Sequence, residues 1–160
     1  MSKSFTQNNK IVNALAPLAD YADDDPASAV VSLAECRTGV FIIQTGANAG
    51  GNATITVESC DDVTPTTATA IPFAVTKYET EDSDIASTAR AAVAAAGFDT
   101  SASVDGVMYV IEVTADGLSG TDEYVRVQVT ESTDAAVLAS ILFIGTGCRY
   151  NQETMATAIV

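Results

Sequence analysis

Along most of the chain, apolar residues fall at every second position, in short runs separated by Gly, Pro, Asn and Asp. A period of two is the signature of a strand with one buried face. Ala53–Glu58 places Ile55 and Val57 on one side and Thr54, Thr56 and Glu58 on the other. Val107–Thr114 and Tyr124–Thr130 repeat the pattern: Val107, Tyr109, Ile111 and Val113 share one face, and Val125, Val127 and Val129 another. The connection ADGLSGTDE between them (Ala115–Glu123) is rich in turn formers and predicts a hairpin-like return. Ile71–Tyr78 alternates as well, with Pro72 marking an edge strand or the start of one, because proline has no ladder donor. Ala29–Leu33 reads as a further early strand.

Two runs lack the alternation. Val40–Thr45 is almost continuously apolar, as in a strand buried on both faces, and Val137–Gly145 is an apolar run that reads as a central strand. For the second, a short buried helix is the alternative. Asp84–Gly97 (DIASTARAAVAAAG) has a different character: acidic residues at its start, many alanines and a closing glycine predict a short helix laid over the sheet. Residues 1–26 are polar, then weakly amphipathic, then acidic, and predict an N-terminal arm ordered against a partner. The whole reads as a mainly β chain. It predicts an antiparallel β-sandwich of jelly-roll-like kind over residues 27–160, with one short Ala-rich helix, preceded by the arm.

Composition narrows what such a fold does. At 160 residues the chain is long enough to bury a core of its own. His and Trp are absent, which removes the commonest general base and metal ligand and the usual sugar platform. The 21 acidic against 7 basic residues give a net charge of −14, a surface that repels nucleic acid and anionic membranes. The N-terminus carries no signal-peptide pattern and no stretch is apolar enough to span a bilayer. Cys36, Cys60 and Cys148 are widely separated and odd in number, which predicts three reduced, half-buried thiols rather than a disulfide framework or zinc site.

The motif nearest to chemistry is GANAGG, Gly46–Gly51, set between a strand and a second β-prone run. A phosphate loop of this spacing continues with Lys and Ser or Thr and opens a helix. Here Asn52 and Ala53 follow, and then a strand, so the loop reads as a flexible hairpin connection. Asp23–Asp25 and Asp61–Asp62 lack calcium-loop spacing and read as solvated loops. No nucleophile elbow is present. We therefore expect no enzymatic activity, no cofactor and no metal. Candidate contact residues are Phe5, Ile11, Val12, Leu15, Leu18 and Tyr21 in the arm, with Tyr124 and Tyr150 flanking the last strands; Tyr109 reads as ordinary packing.

Five stretches together carry a family likeness: NNKIVNALAPLADYADDDPAS, GVFIIQTGANAGGNATITVESCDDVTPTTATAIPF, AAGFDT, YVIEVTADGL and YVRVQVTE. In this order, over nearly the whole chain, they resemble a group of small structural proteins encoded among the head genes of tailed bacteriophages. The resemblance implies a capsid decoration (cement) protein, a sandwich bound outside the shell and clamping its subunits. The implied partners are the major capsid protein and further copies of the chain, as a dimer or trimer, with no nucleic acid and no membrane. It implies a location on the virion head after synthesis in the bacterial cytoplasm. No catalytic residues come with it. A tail-tube or connector subunit and a carbohydrate-binding adhesin module are the alternative readings of the same pattern.

Overall fold

The computed structural model describes residues 4–79, 85–102 and 104–149. A short helix α1 (Phe5–Asn8) leads into eleven strands: β1 (Lys10–Leu18), β2 (Val31–Ser32), β3 (Cys36–Asn48), β4 (Asn52–Cys60), β5 (Ala68–Ile71), β6 (Phe73–Tyr78), β7 (Thr88–Val93), β8 (Phe98–Asp99), β9 (Met108–Thr114), β10 (Tyr124–Thr133) and β11 (Val137–Cys148). They form two antiparallel sheets packed face to face. One has six strands in the order β1-β11-β3-β9-β6-β7; the other runs β2-β10-β4-β5, with β8 beside β5 on the same edge of β4. This is a β-sandwich. The alternating positions meet in its interior: Phe41, Ile43, Ile55, Val57, Ile111, Val125, Val127, Val129, Ile141 and Phe143 are all fully buried. The rings of Phe41 and Phe143 sit 5.0 Å apart, on neighbouring strands of the six-stranded sheet.

Strands stand at Ala53–Glu58, Val107–Thr114 and Tyr124–Thr130 as alternation predicts, but the connections differ from expectation. β9 and β10 do not pair, because they belong to opposite sheets, so Ala115–Glu123 is an arch across the sandwich rather than a hairpin. The same holds for the glycine loop between β3 and β4. At Pro72 the chain also changes sheets, from β5 to β6, and the missing N–H falls at the crossing. Among the described residues, only β4–β5 and β6–β7 pair as consecutive strands of one sheet. Side-chain alternation reports which residues are inward. It is identical for a hairpin and for an arch, so the two could not be separated by it.

Three further expectations are corrected. The Ala-rich segment is the edge strand β7, paired with β6 through Phe73–Val93, Ala74–Ala92 and Val75–Ala91. The unpaired backbone of β6 outweighs alanine's modest helix preference. Gly97, read as a helix cap, has φ +82° in a turn where a Cβ would stand 2.2 Å from the Ile55 carbonyl oxygen. The acidic start of that segment, Asp82 and Asp84, lies outside the described residues.

Cys36 and Cys148, expected to be free, form a disulfide. They are 112 residues apart in sequence yet directly opposite in the β3–β11 register. Pairing register, invisible in spacing, brings them together.

Residues 10–18 are not an arm beside the domain but its outermost strand, β1, paired with β11. Val12 and Ala14 enter the core there, and Tyr21 follows them with no exposed surface. The Tyr21 N–H donates to the Val137 carbonyl (3.0 Å), closing the end of the sandwich. Pro17 is tolerated because β1 is an edge.

Candidate interaction surface

The glycine loop has a clear mechanical role. A Cβ on Gly51 would lie 1.9 Å from the Ala135 carbonyl oxygen and 2.8 Å from Val137 Cγ2, so the arch can pass the start of β11 only as glycine. Gly50 N–H donates to Asn48 Oδ1 (2.8 Å), and Asn48 N–H to Asp105 Oδ1 (2.7 Å). The loop's polar groups are spent on holding the crossing.

Asp61 and Asp25 of the acidic clusters are likewise engaged locally. The Thr66 hydroxyl (2.8 Å) and Thr67 N–H (3.1 Å) donate to Asp61, and they hold its carboxyl below the usual range. Asp25 accepts the Glu131 N–H at 2.6 Å. Partial desolvation, with Asp134, Asp20, Asp23 and Asp25 nearby, raises the Glu131 carboxyl. Among the described residues no three His, Cys, Asp or Glu side chains are grouped to hold a metal ion. Cys60 is a buried thiol pushed up to about 11 by that burial, a protonated and unreactive group at neutral pH. A hollow of about 370 Å³ beside the disulfide is lined by Leu33, Arg37, Ala115, Asp116 and Arg149 and opens to solvent.

The outer surfaces of the two sheets are chemically unlike. On the β4–β10 side the outward positions are polar: Thr54, Thr56 and Glu58 alternate with the core residues of β4, and Arg126, Gln128 and Thr130 with those of β10. Arg126 Nε and Glu58 Oε2 pair there at 2.7 Å. Ordinary half-buried strands behave this way.

The six-stranded sheet does not. Its register aligns Ile11, Ile144, Val40 and Glu112 in one row, and Asn13, Leu142, Ile42 and Val110 in the next. Leu138 stands beyond them against Gly46. Ile11 is 42%, Leu138 45% and Leu142 36% exposed, and Val40, Ile42, Val110 and Ile144 are half-buried by one another. A threonine row (Thr146, Thr38, Thr114) borders this field at one end and Ser140 with Gln44 at the other. The charge in these rows, Glu112, is paired with Arg90 at 2.7 Å. Val40–Thr45 was expected to be covered on both faces, and Val137–Gly145 to be a central strand. The fold covers one face, and leaves an aliphatic field on the other.

The candidate contact residues separate accordingly. Ile11 belongs to the aliphatic field; Phe5 and Leu18 are exposed at the two ends of the N-terminal segment. Leu15 packs partly against the core, and Val12 and Tyr21 are inside it, so neither is a contact residue. Tyr124 is half-buried at the start of β10, opposite Ser32 and Cys60. Tyr150 lies outside the described residues. Tyr109 packs in the core against Phe98, its hydroxyl accepting the Ser101 N–H at 2.6 Å. Leu138, Leu142, Ile144, Val40 and Ile42, which form this field, were not among the candidates, although the loss of alternation in their two strands was the signal that could have found them. No helix among the described residues is long and apolar enough to cross a membrane. No family model matches the chain, and no curated protein or solved structure does either.

Proposed function

We propose that this chain is a structural protein of a tailed-bacteriophage virion, a decoration subunit that binds outside the head and braces neighbouring shell subunits. The resemblance of the sequence to head-gene products supports a phage head as the assembly. The observation that supports an assembly role is the aliphatic outer face of the six-stranded sheet. Soluble monomers rarely keep a contiguous apolar surface of several hundred Å² in water, whereas subunits of assemblies do. The free edges of β5 and β7 offer backbone groups to which a shell segment can add as a strand. Multivalency suits this work, since many modest contacts repeated over a lattice act together. The strongly acidic composition limits sticking between particles.

The test is a fractionation of purified, DNA-filled particles into heads and tails, followed by quantitative mass spectrometry. A decoration subunit is present in the head fraction in hundreds of copies or a fixed ratio to the shell protein, and surface labelling of intact heads reaches it. Absence from the particles, or recovery in tails as stacked rings, overturns the proposal.

A further inference from the structure

We infer that the outer face of the six-stranded sheet is a dimer interface, and that its occupant is a second copy of this chain packed sheet to sheet. Two observations point to this occupant. The face is aliphatic at its centre, with Val40, Ile42, Leu142 and Ile144 on adjacent strands in adjacent register. It is nearly uncharged on a chain of net charge −14, because Glu112 is already neutralised by Arg90. Complementarity to an uncharged aliphatic sheet is met by another uncharged aliphatic sheet; a basic partner would instead seek the carboxylates, which stand elsewhere on the chain. Two copies joined here bring no carboxylate row against another.

Size agrees with this. Six strands about 4.8 Å apart, each presenting about seven residues at roughly 3.3 Å, make a face of about 29 by 23 Å, or roughly 650 Å². A stable dimer uses about 800 Å² from each partner. The aliphatic field supplies the dry centre and the threonine, Ser140 and Gln44 rows the polar rim. The opposite sheet presents Thr, Glu and Arg outward from β4 and β10 and is the internal comparison: nothing in strand chemistry alone requires the first face to be apolar. An isologous contact of this kind leaves the β5 and β7 edges and the polar sheet free on the outside of the pair. The inference goes beyond the decoration role and does not depend on it, because it concerns the purified chain in solution.

Sedimentation equilibrium of the full chain is the test. The wild-type protein is expected at twice the 16.4 kDa chain mass at micromolar concentration. Added salt is expected to tighten the association by screening the net repulsion. Ile42→Lys with Leu142→Lys places two charges in the dry centre and should weaken dimerisation by about 100-fold or more. Ile42→Thr with Leu142→Thr keeps strand preference, guards against misfolding, and should weaken it in the same direction. Thr56→Lys, on the polar sheet, should leave it unchanged. A monomeric wild type overturns the inference, whether the face is then covered by the shell or by the chain's own residues 150–160. A dimer that survives both double substitutions while the circular dichroism is native overturns it equally, since it would be held by a sheet edge.

Discussion

Tyr21 shows how much a single side chain can reveal once it is placed. Read as an arm residue waiting for a partner, it is instead one of the largest fully buried side chains, and its hydroxyl faces Thr100 without a hydrogen bond of normal geometry. Burial pushes the phenol up to about 12, from an ordinary value near 10. The folded state therefore holds its proton more tightly than the unfolded chain does. Stability attached to this group is intact below pH 10 and is lost as pH rises through 10 toward 12, by about 3 kcal/mol in all. Urea titrations between pH 8 and 12 should show that loss, and Tyr21→Phe should flatten it while costing little at pH 7, because no hydrogen bond is broken. A steep alkaline loss that persists in the phenylalanine variant would assign the effect to another group. Gly51 makes a sharper prediction. Gly51→Ala drives a methyl into the Ala135 carbonyl and should destabilise by about 3 kcal/mol, read from the denaturation midpoint. A glycine that served only loop flexibility would tolerate alanine with no loss.

Individual strands were legible in the sequence because alternation is a property of single segments. Ile55 with Val57, and Val125 with Val127 and Val129, reported their inward face directly, and both strands stand where that pattern put them. What joins the strands is a property of pairs, and no pattern within β9 or β10 announces that they belong to opposite sheets. The same limit hid the Cys36–Cys148 bridge, which exists because β3 and β11 pair in one register. This crosslink closes a 112-residue separation and should contribute about 2–5 kcal/mol. Native protein is expected to titrate one thiol after unfolding, Cys60, and three after reduction, with the urea midpoint falling on reduction. Three titratable thiols in the unreduced protein would contradict the bridge. β7 was misread for a different reason: alanine has little preference to express, so the free edge of β6 decided the outcome. Ala91→Val, opposite Val75, should therefore be neutral or stabilise by a few tenths of a kcal/mol to about 1 kcal/mol in a thermal melt. A loss of similar size would be the response of a helix.

At the scale of the whole molecule, the candidate surface was present in the sequence but with its meaning incomplete. Val40–Thr45 read as a strand apolar on both faces and Val137–Gly145 as a central strand, and both carry apolar residues on two faces. One face meets the opposite sheet; among the described residues the second stays partly exposed, at Ile11, Leu138 and Leu142. Hydrophobicity reports that a face is destined for burial and is silent on whether the cover lies in the same chain. That surplus apolar face, joined to a likeness to phage head proteins, is the ground on which we propose a subunit of an assembly. The most direct measurement is a cryo-electron microscopy map of the intact, DNA-filled particle. The account predicts this sandwich on the outside of the head, seated on shell subunits at repeated lattice positions, with the β1-β11-β3-β9-β6-β7 face buried against protein. A head surface without it, or the same sandwich ringed along the tail lumen, would contradict the account.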